Sequence, residues 1–390
     1  MITVEEARVL LFELVSPLPA ETVALSDAAS RVLAQDIEAT RDQPPFEASS
    51  MDGYALKATE VELHAMFKVI GESAAGNRYT GRVGPGQAVR IFTGAPVPEG
   101  ADFVVIQEDT ERRGDLITIS DLPSPKTNIR PAGVDFKAGT KISAPRQLRA
   151  EDIALMAAMN VATVPVTRKP VVALISTGDE LVMPGETPGP DQIIASNTFG
   201  LKALLEGAGA HVRILPVARD TVSSLETAFG LAEGADLVVT IGGASVGDYD
   251  LVSDVSTGLG MEQSFYKIRM RPGKPLMAGR LGQTAMVGLP GNPVSAMVCG
   301  YLFLLPMVRR MLSVEQVLPP LRTARLAEPL GENGPREHYM RAMLDETGIR
   351  ACSDQDSSLL SVLAQANALL VRTPHDPARP AGDEVHYLPI

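Results

Sequence analysis

Between residues 169 and 318 of this 390-residue chain, short apolar runs alternate with amphipathic helical patterns. That alternation restricts the architecture more than any other feature. The runs "VVALI" (171–175), "VRILPV" (212–217), "LVVTI" (237–241) and "TAMVG" (284–288) have the length and side-chain type of strands. Between the first two, a helix starting near Ser196 or Asn197 carries Leu201, Leu204, Leu205 and Ala208 at i, i+3, i+4 and i+7. The next helix follows the box Ser223-x-x-Glu226 and has apolar Leu225, Ala228, Phe229 and Ala232. A long apolar helix is expected from about 293 to 311. Strands separated by helices imply a doubly wound, mostly parallel sheet covered on both faces.

The flanking segments differ in texture. Thr3 and Glu6 form a capping-box pattern ahead of an amphipathic helix. Residues 43–136 break into short β-type runs with a turn signal every few residues, as in an inserted small β domain. Residues 137–168 contain a helical stretch, "RAEDIALMAAMN", expected to pack with 1–42 as one discontinuous domain. After "LPP" (318–320), the runs "EHYMRAML", "ALLVRTP" and "EVHYLPI" predict a final small β domain over 319–390. The expected class is therefore multidomain α/β plus β, with the α/β domain at 169–318.

The net charge of −12 and the lack of a basic stripe argue against a nucleic-acid partner. Cys299 and Cys352 have no metal-ligand spacing, which fits a reducing compartment. The acidic N-terminus is unlike a secretory signal, and "YLFLLPM" (301–307) is too short to span a bilayer. A cytoplasmic protein without a membrane partner is expected.

Open α/β sheets bind ligands beyond the carboxyl ends of their strands. There the chain places "STGDEL" (176–181), Ala218-Arg219-Asp220, "GGASVGDYD" (242–250) and "LPGNPVSA" (289–296). Carboxylates come from three of these turns. Each also has a plainer reading: Asp220 as a helix cap, Asp179 and Glu180 as solvated turn residues, the glycines as a tight turn, Asn292-Pro293 as a helix start. Their coincidence at one rim favours a site. Five histidines with no metal-pair spacing make zinc or copper unlikely partners, whereas oxygen-only donors suit Mg²⁺. A divalent ion would also reconcile a glycine cradle for phosphate with Asp248 and Asp250 beside it. "KIRMRPGKP" (267–275) carries Lys267, Arg269, Arg271 and Lys274. It reads either as a charged edge strand with Lys267, Arg269 and Arg271 on one face or as the seat of a second anion.

These stretches, together with "PPFEASSMDGYAL" (44–56), "IFTGAPVPEGADFVVIQE" (91–108) and "RPGKP" (271–275), closely resemble the molybdopterin molybdenumtransferase (molybdenum insertase) family across most of the chain. The resemblance implies homodimers whose α/β domain binds molybdopterin, with an elongated N-terminal domain and a C-terminal β-barrel-like domain. It implies Mg²⁺-dependent insertion of molybdate into adenylylated molybdopterin with release of AMP. Partners implied are a molybdopterin-adenylylating enzyme and downstream molybdoenzyme-maturation proteins. Carried over to this sequence, Asp52 and Thr93 would reach the site from the partner subunit. Glu180, Asp220 and Asp250 would be the acidic, Mg²⁺-holding rim. Ser176, Thr177, Gly178, Asp179, Gly242, Gly243, Ser245, Gly247, Pro290, Asn292, Pro293 and Ser295 would line the cofactor. Arg271, Lys274 and Arg341 would meet molybdate. Turn and strand chemistry alone would also account for Asp52 and Thr93. Two departures from the family pattern stand out: Glu47-Ala48 replaces a usual Asp-Asn, and Arg271 replaces a common lysine, offering a planar fork instead of a point charge. An adenylyltransferase and a non-catalytic cofactor scaffold are the alternatives.

Overall fold

The computed structural model describes residues 1–243 and 251–390. Ser245, Gly247, Asp248 and Asp250 lie outside the described residues.

The α/β region is a six-stranded sheet. Across it the strands run His211–Ile214, Val171–Ser176, Leu237–Ile241, Thr284–Leu289, Pro275–Leu281, Met261–Lys267. The first four are parallel, and the last two add an antiparallel edge. Alternate residues enter different cores. Val172, Leu174, Leu237, Val239 and Val287 face one, while Ala173, Ile175, Val238 and Met286 face the other. Burial on both faces is why these strands read as continuous apolar runs. The run at 212–217 stops as a strand at Ile214, because Pro216 has no N–H for the ladder.

Two helices cover opposite faces between the strands. Asn197–Gly207 buries Leu201 and Leu205, and Val222–Leu231 buries Leu225, Ala228 and Phe229. The expected box at Ser223 and Glu226 is not the cap. Thr221 holds the extended conformation and its hydroxyl accepts from the Ser224 amide at 3.3 Å, leaving Ser223 inside the helix. Pro293–Met311 forms one continuous helical run with a π-turn at Gly300–Leu304. It is long and apolar enough to cross a membrane, yet 78% of that stretch is buried in the fold, as befits a core helix.

Residues 20–42 pair with 137–168: Ala20–Ala24 lies antiparallel to Thr163–Thr167, and Ile37–Glu38 to Lys141–Ile142. The helix Val4–Glu13 goes elsewhere. Capped by the Thr3–Glu6 box, it buries Val4, Ala7 and Leu11 in the α/β core against the Pro293–Met311 helix. Arg310 Nε donates to the Phe12 carbonyl at 3.1 Å. The inserted region is a second six-stranded sheet containing Gly53–Leu56 and Gln87–Ile91. The C-terminal region is a third sheet built around Glu337–Asp345, Ala368–Arg372 and Glu384–Pro389.

The basic stretch at 267–275 joins two of these sheets. The edge strand of the α/β sheet ends at Lys267, Ile268 bridges to Ile2, and Met270–Arg271 then pairs parallel with Glu337-His338 of the C-terminal sheet. Lys267, Arg269 and Arg271 are therefore not one face of one strand. The chain changes sheets between them because Ile268 and Met270 are drawn into the core.

Candidate functional site

The turns that follow the parallel strands are stitched together. The Thr177 amide donates to Ile241 O at 3.0 Å, Gly178 N to Ala218 O at 3.1 Å, and Gly242 N to Leu289 O at 3.1 Å. These bonds carry the ladder one residue past each strand and open a crevice of about 1030 Å³ at the carboxyl edge. Ser176, Thr177, Gly178 and Glu180 line it from the first turn. Asp220 contributes from the second, Gly242 and Gly243 from the third, and Pro290, Asn292 and Pro293 from the fourth.

Glycine is required where the backbone closes in. Gly242 has φ +101°, and a Cβ there would lie 2.5 Å from the Thr177 carbonyl oxygen. Gly178 has φ +145°, and a Cβ would strike the Glu180 carboxylate at 2.4 Å. The Glu180 side chain thus folds back over its own turn. Thr177 is buried and lines the crevice, and its hydroxyl has no hydrogen-bond partner among the described residues.

The acidic corner is under electrostatic load. Burial, then the charges of Asp179 and Glu180, push the Asp220 carboxyl above the usual carboxylate range. Asp179 does not line the crevice. Its Oδ1 accepts from the Asp220 amide at 3.3 Å, and its carbonyl accepts from Arg219 Nη1 at 2.9 Å, so it braces the turn. Asp220 is not the helix cap, since Thr221 is. Among the described residues no three His, Cys, Asp or Glu groups converge closely enough to hold a metal ion. Glu180 and Asp220 supply two oxygen donors with excess negative charge, which fits a hard divalent cation; the third expected donor, Asp250, is not described.

Beyond the crevice lies a cationic seam. Lys274 immediately precedes Pro275, which lines the crevice; Lys274 itself lines a second recess of about 480 Å³ with Arg269, Arg336, His375 and Met1. Arg271 stands in register with buried His338. Burial, followed by the charges of Arg271, Arg372, Arg336 and Arg341, drives the His338 imidazole down to about 4. Arg341 lies farther along, within the strand Glu337–Asp345. It is 2% exposed, and its Nη1 donates to the Asp356 carbonyl at 2.7 Å while Nε donates to Gln355 Oε1 at 3.3 Å. Nε and Nη1 are thereby tied to the 352–359 turn, while Nη2 makes no hydrogen bond among the described residues. Arg336 lines the recess and makes no side-chain hydrogen bond or ion pair among the described residues. "REHYMRA" held both arginines; Arg341 lies inside the strand Glu337–Asp345 and is buried, whereas Arg336 precedes the strand and is half-buried.

Some expected residues lie apart. Asp52 and Thr93 are together, Oδ1 of Asp52 accepting from the Thr93 amide at 2.8 Å and hydroxyl at 2.9 Å, and these bonds lower the Asp52 carboxyl. Neither lines the crevice of its own chain. Ser295 is buried within the helix and does not line it either. Conversely, Asn197, Ile193, Ile194 and Asp254 line the crevice without having been singled out, as does Ser358 from the C-terminal region. Asn197 Nδ2 donates to the Gly291 carbonyl at 2.7 Å, tying two rims. In sequence Asn197 marked only a helix start. Exposed Ile193-Ile194, a β-type pair among prolines and glycines, was the available hint of an apolar wall.

Comparison with known proteins agrees with this arrangement. Residues 2–160 match the MoeA N-terminal region (domain I and II), 173–310 a probable molybdopterin binding domain, and 323–390 the MoeA C-terminal region (domain IV). The molybdopterin molybdenumtransferase of Haemophilus influenzae is 35% identical, the match covering 95% of this chain and 94% of the relative. That of Nostoc sp. is 35% identical over 95% and 90%. A molybdopterin biosynthesis moeA protein from Pyrococcus horikoshii, known from its crystal structure, superposes with TM-score 0.86 at 29% identity, covering 100% of this chain and 99% of the other. The chain belongs to the molybdopterin molybdenumtransferase family of molybdenum cofactor biosynthesis.

Proposed function

We propose that this protein inserts molybdate into adenylylated molybdopterin with Mg²⁺-dependent release of AMP. The observation that carries the reading is the pairing of Asp220 and Glu180, negatively overloaded, with a glycine-walled cradle in one crevice. Such a corner disfavours a phosphate unless a cation is shared between them. Mg²⁺, when bound there, would neutralise phosphate charge and polarise the anhydride. Glu180 and Asp220 would hold it, with Asp250 as a third donor.

The Thr177 hydroxyl and the backbone at Gly242-Gly243 bind phosphate oxygens. Ile193 and Ile194 cover an apolar portion of the cofactor. Asn197, locked to Gly291, keeps the two sides of the crevice at a fixed spacing. The chemistry is then a matter of positioning and charge neutralisation.

Molybdate, the second substrate, docks at the seam. Lys274 and Arg336 line the recess there, and Arg271 lies within electrostatic range of the same His338. Fixed cations in a partly dry cleft hold an oxyanion far more strongly than they would in bulk water. Arg341 is the further cation expected to meet the same oxyanion. Asp52 and Thr93 complete the site from the partner subunit of a homodimer, which accounts for their distance from the crevice of their own chain.

The test is direct. Protein supplied with adenylylated molybdopterin, Mg²⁺ and molybdate should yield AMP and metal-loaded cofactor in equal amounts. AMP release that ignores molybdate, or adenylylation of unmodified molybdopterin by ATP, would refute this assignment.

A further inference from the structure

The inserted sheet gathers three strand ends around one cation. Gly53–Leu56 lies between Gln87–Ile91 and Phe103–Ile106, antiparallel to both. Asp52 directly precedes the first strand, Thr93 follows the second by two residues, and Gln107 directly follows the third. Arg90, opposite Tyr54 in the ladder, ties this end together. Its Nη1 donates to the Gly53 carbonyl at 3.2 Å and its Nη2 to Gln107 Oε1 at 2.6 Å. The guanidinium also lies over two rings, 5.1 Å from the centre of Tyr54 and 4.8 Å from that of Phe92. The Gln107 amide closes the loop of contacts by donating to the Asp52 carbonyl at 3.0 Å. Asp52 Oδ1 takes both Thr93 hydrogen bonds, and among the described residues Oδ2 makes none.

We propose that Arg90 is a positioning residue for the Asp52–Thr93 pair. By fixing Gly53, Phe92 and Gln107 around one planar fork, it holds the strand ends that carry the pair in a single geometry and leaves Asp52 Oδ2 free to act. Thr93 is exposed, and two hydrogen bonds in a solvated turn impose little rigidity by themselves. A guanidinium suits the task because it meets two acceptors at once while its faces lie on aromatic rings, which an ammonium cannot match. The role rests on the homodimer reading above, in which this pair completes the site of the partner subunit.

The experiment compares full-length wild-type protein with Arg90→Met, Arg90→Lys, Gln107→Leu, Asp52→Asn and the double variant Asp52→Asn/Arg90→Met. Amide hydrogen exchange is followed at Thr93 and Gln107, with 116–119 of the same sheet as the fold control. Molybdate-dependent AMP release gives kcat and the KM of each substrate. Arg90→Met should exchange at Thr93 and Gln107 about tenfold faster with 116–119 unchanged, and should lower kcat about tenfold at nearly constant KM. Arg90→Lys, which keeps the charge without the fork, should recover part of both effects. The double variant should lie within about twofold of Asp52→Asn, because Arg90 acts through the pair. If Arg90→Met fails to fold, Gln107→Leu carries the same expectation for Thr93 exchange and kcat. Unchanged Thr93 exchange in a folded variant overturns the proposal. So do additive losses in the double variant, and so does a raised KM at constant kcat, which would make Arg90 a substrate contact. Wild-type protein without molybdate-dependent AMP release would instead refute the function assigned above, because exchange at Thr93 does not depend on turnover.

Discussion

The acidic corner of the crevice and the cationic seam beside it are built in opposite ways. Glu180 and Asp220 stand at the ends of adjacent parallel strands, so the sheet's own hydrogen bonds bring them together. Lys274, just before the α/β strand Pro275–Leu281, and Arg336, just before the C-terminal strand Glu337–Asp345, share a recess only because Met270-Arg271 crosses from one sheet to the other. In both places burial, and after it neighbouring like charge, moves a titratable group from its ordinary range. Asp220 holds its proton more tightly than an ordinary carboxyl, and His338 gives its proton up more readily than an ordinary imidazole. The lesson is that a strand-end site follows from topology, whereas a seam site follows from how domains dock.

The sharpest break of that comparison is Asp220→Asn. Loss of the overloaded carboxylate should lower molybdate-dependent AMP release on the order of 100-fold or more at saturating molybdate, measured as AMP formed per turnover. Retained activity would mean the acidic corner is only structural. Next in size, Arg336→Ala should raise the molybdate KM about tenfold with little change in cofactor KM, read from initial rates. An equal loss in both substrates would show that the seam and the crevice do not divide the work.

His338 gives a stability signature. Its folded pKa, about 4, lies below the 6.5 of an ordinary imidazole, so the unfolded chain binds the proton first as pH falls. The stability is complete above pH 6.5 and declines as pH drops toward 4, by up to about 3 kcal/mol. Denaturant titrations across that window should show a shallower acid slope in His338→Gln. Asp220 has the opposite sign. Its raised carboxyl makes ionised Asp220 unfavourable in the folded state at neutral pH without divalent ions, and the penalty fades as pH falls through the raised folded pKa and is gone below the unfolded one. Asp220→Asn should therefore raise the Tm slightly at neutral pH, an advantage lost in acid. This would be the smallest of the four effects, and added Mg²⁺ should cancel it by stabilising only the wild-type protein.

Legibility divides along the same line. The strands at 171–176, 237–241 and 284–289 were readable because burial on both faces demands unbroken apolar runs. With them came the positions of Thr177, Glu180, Asp220 and Gly242 at one rim. The difference between Arg336 and Arg341 was not readable, since both are arginines in one short motif and only the packed structure shows that the strand starts at Glu337 and buries Arg341. Ser358 was equally hidden, because nothing local links a serine at 358 to a helix starting at 293. The Ser223–Glu226 box failed for a different reason: Thr221, two residues earlier, has the extended backbone that a cap requires.

What this sequence fixed by itself was periodicity and turn chemistry, and through them a parallel sheet with carboxylates and glycines gathered at its carboxyl edge. Both are local properties, written in neighbouring residues. The tertiary structure alone decided that the N-terminal helix would leave its neighbours for the α/β core, that the chain would change sheets at Ile268, and that Arg341 would be buried while Arg336 lines a recess. Those outcomes depend on which distant apolar surfaces bury each other, and no local spacing encodes that.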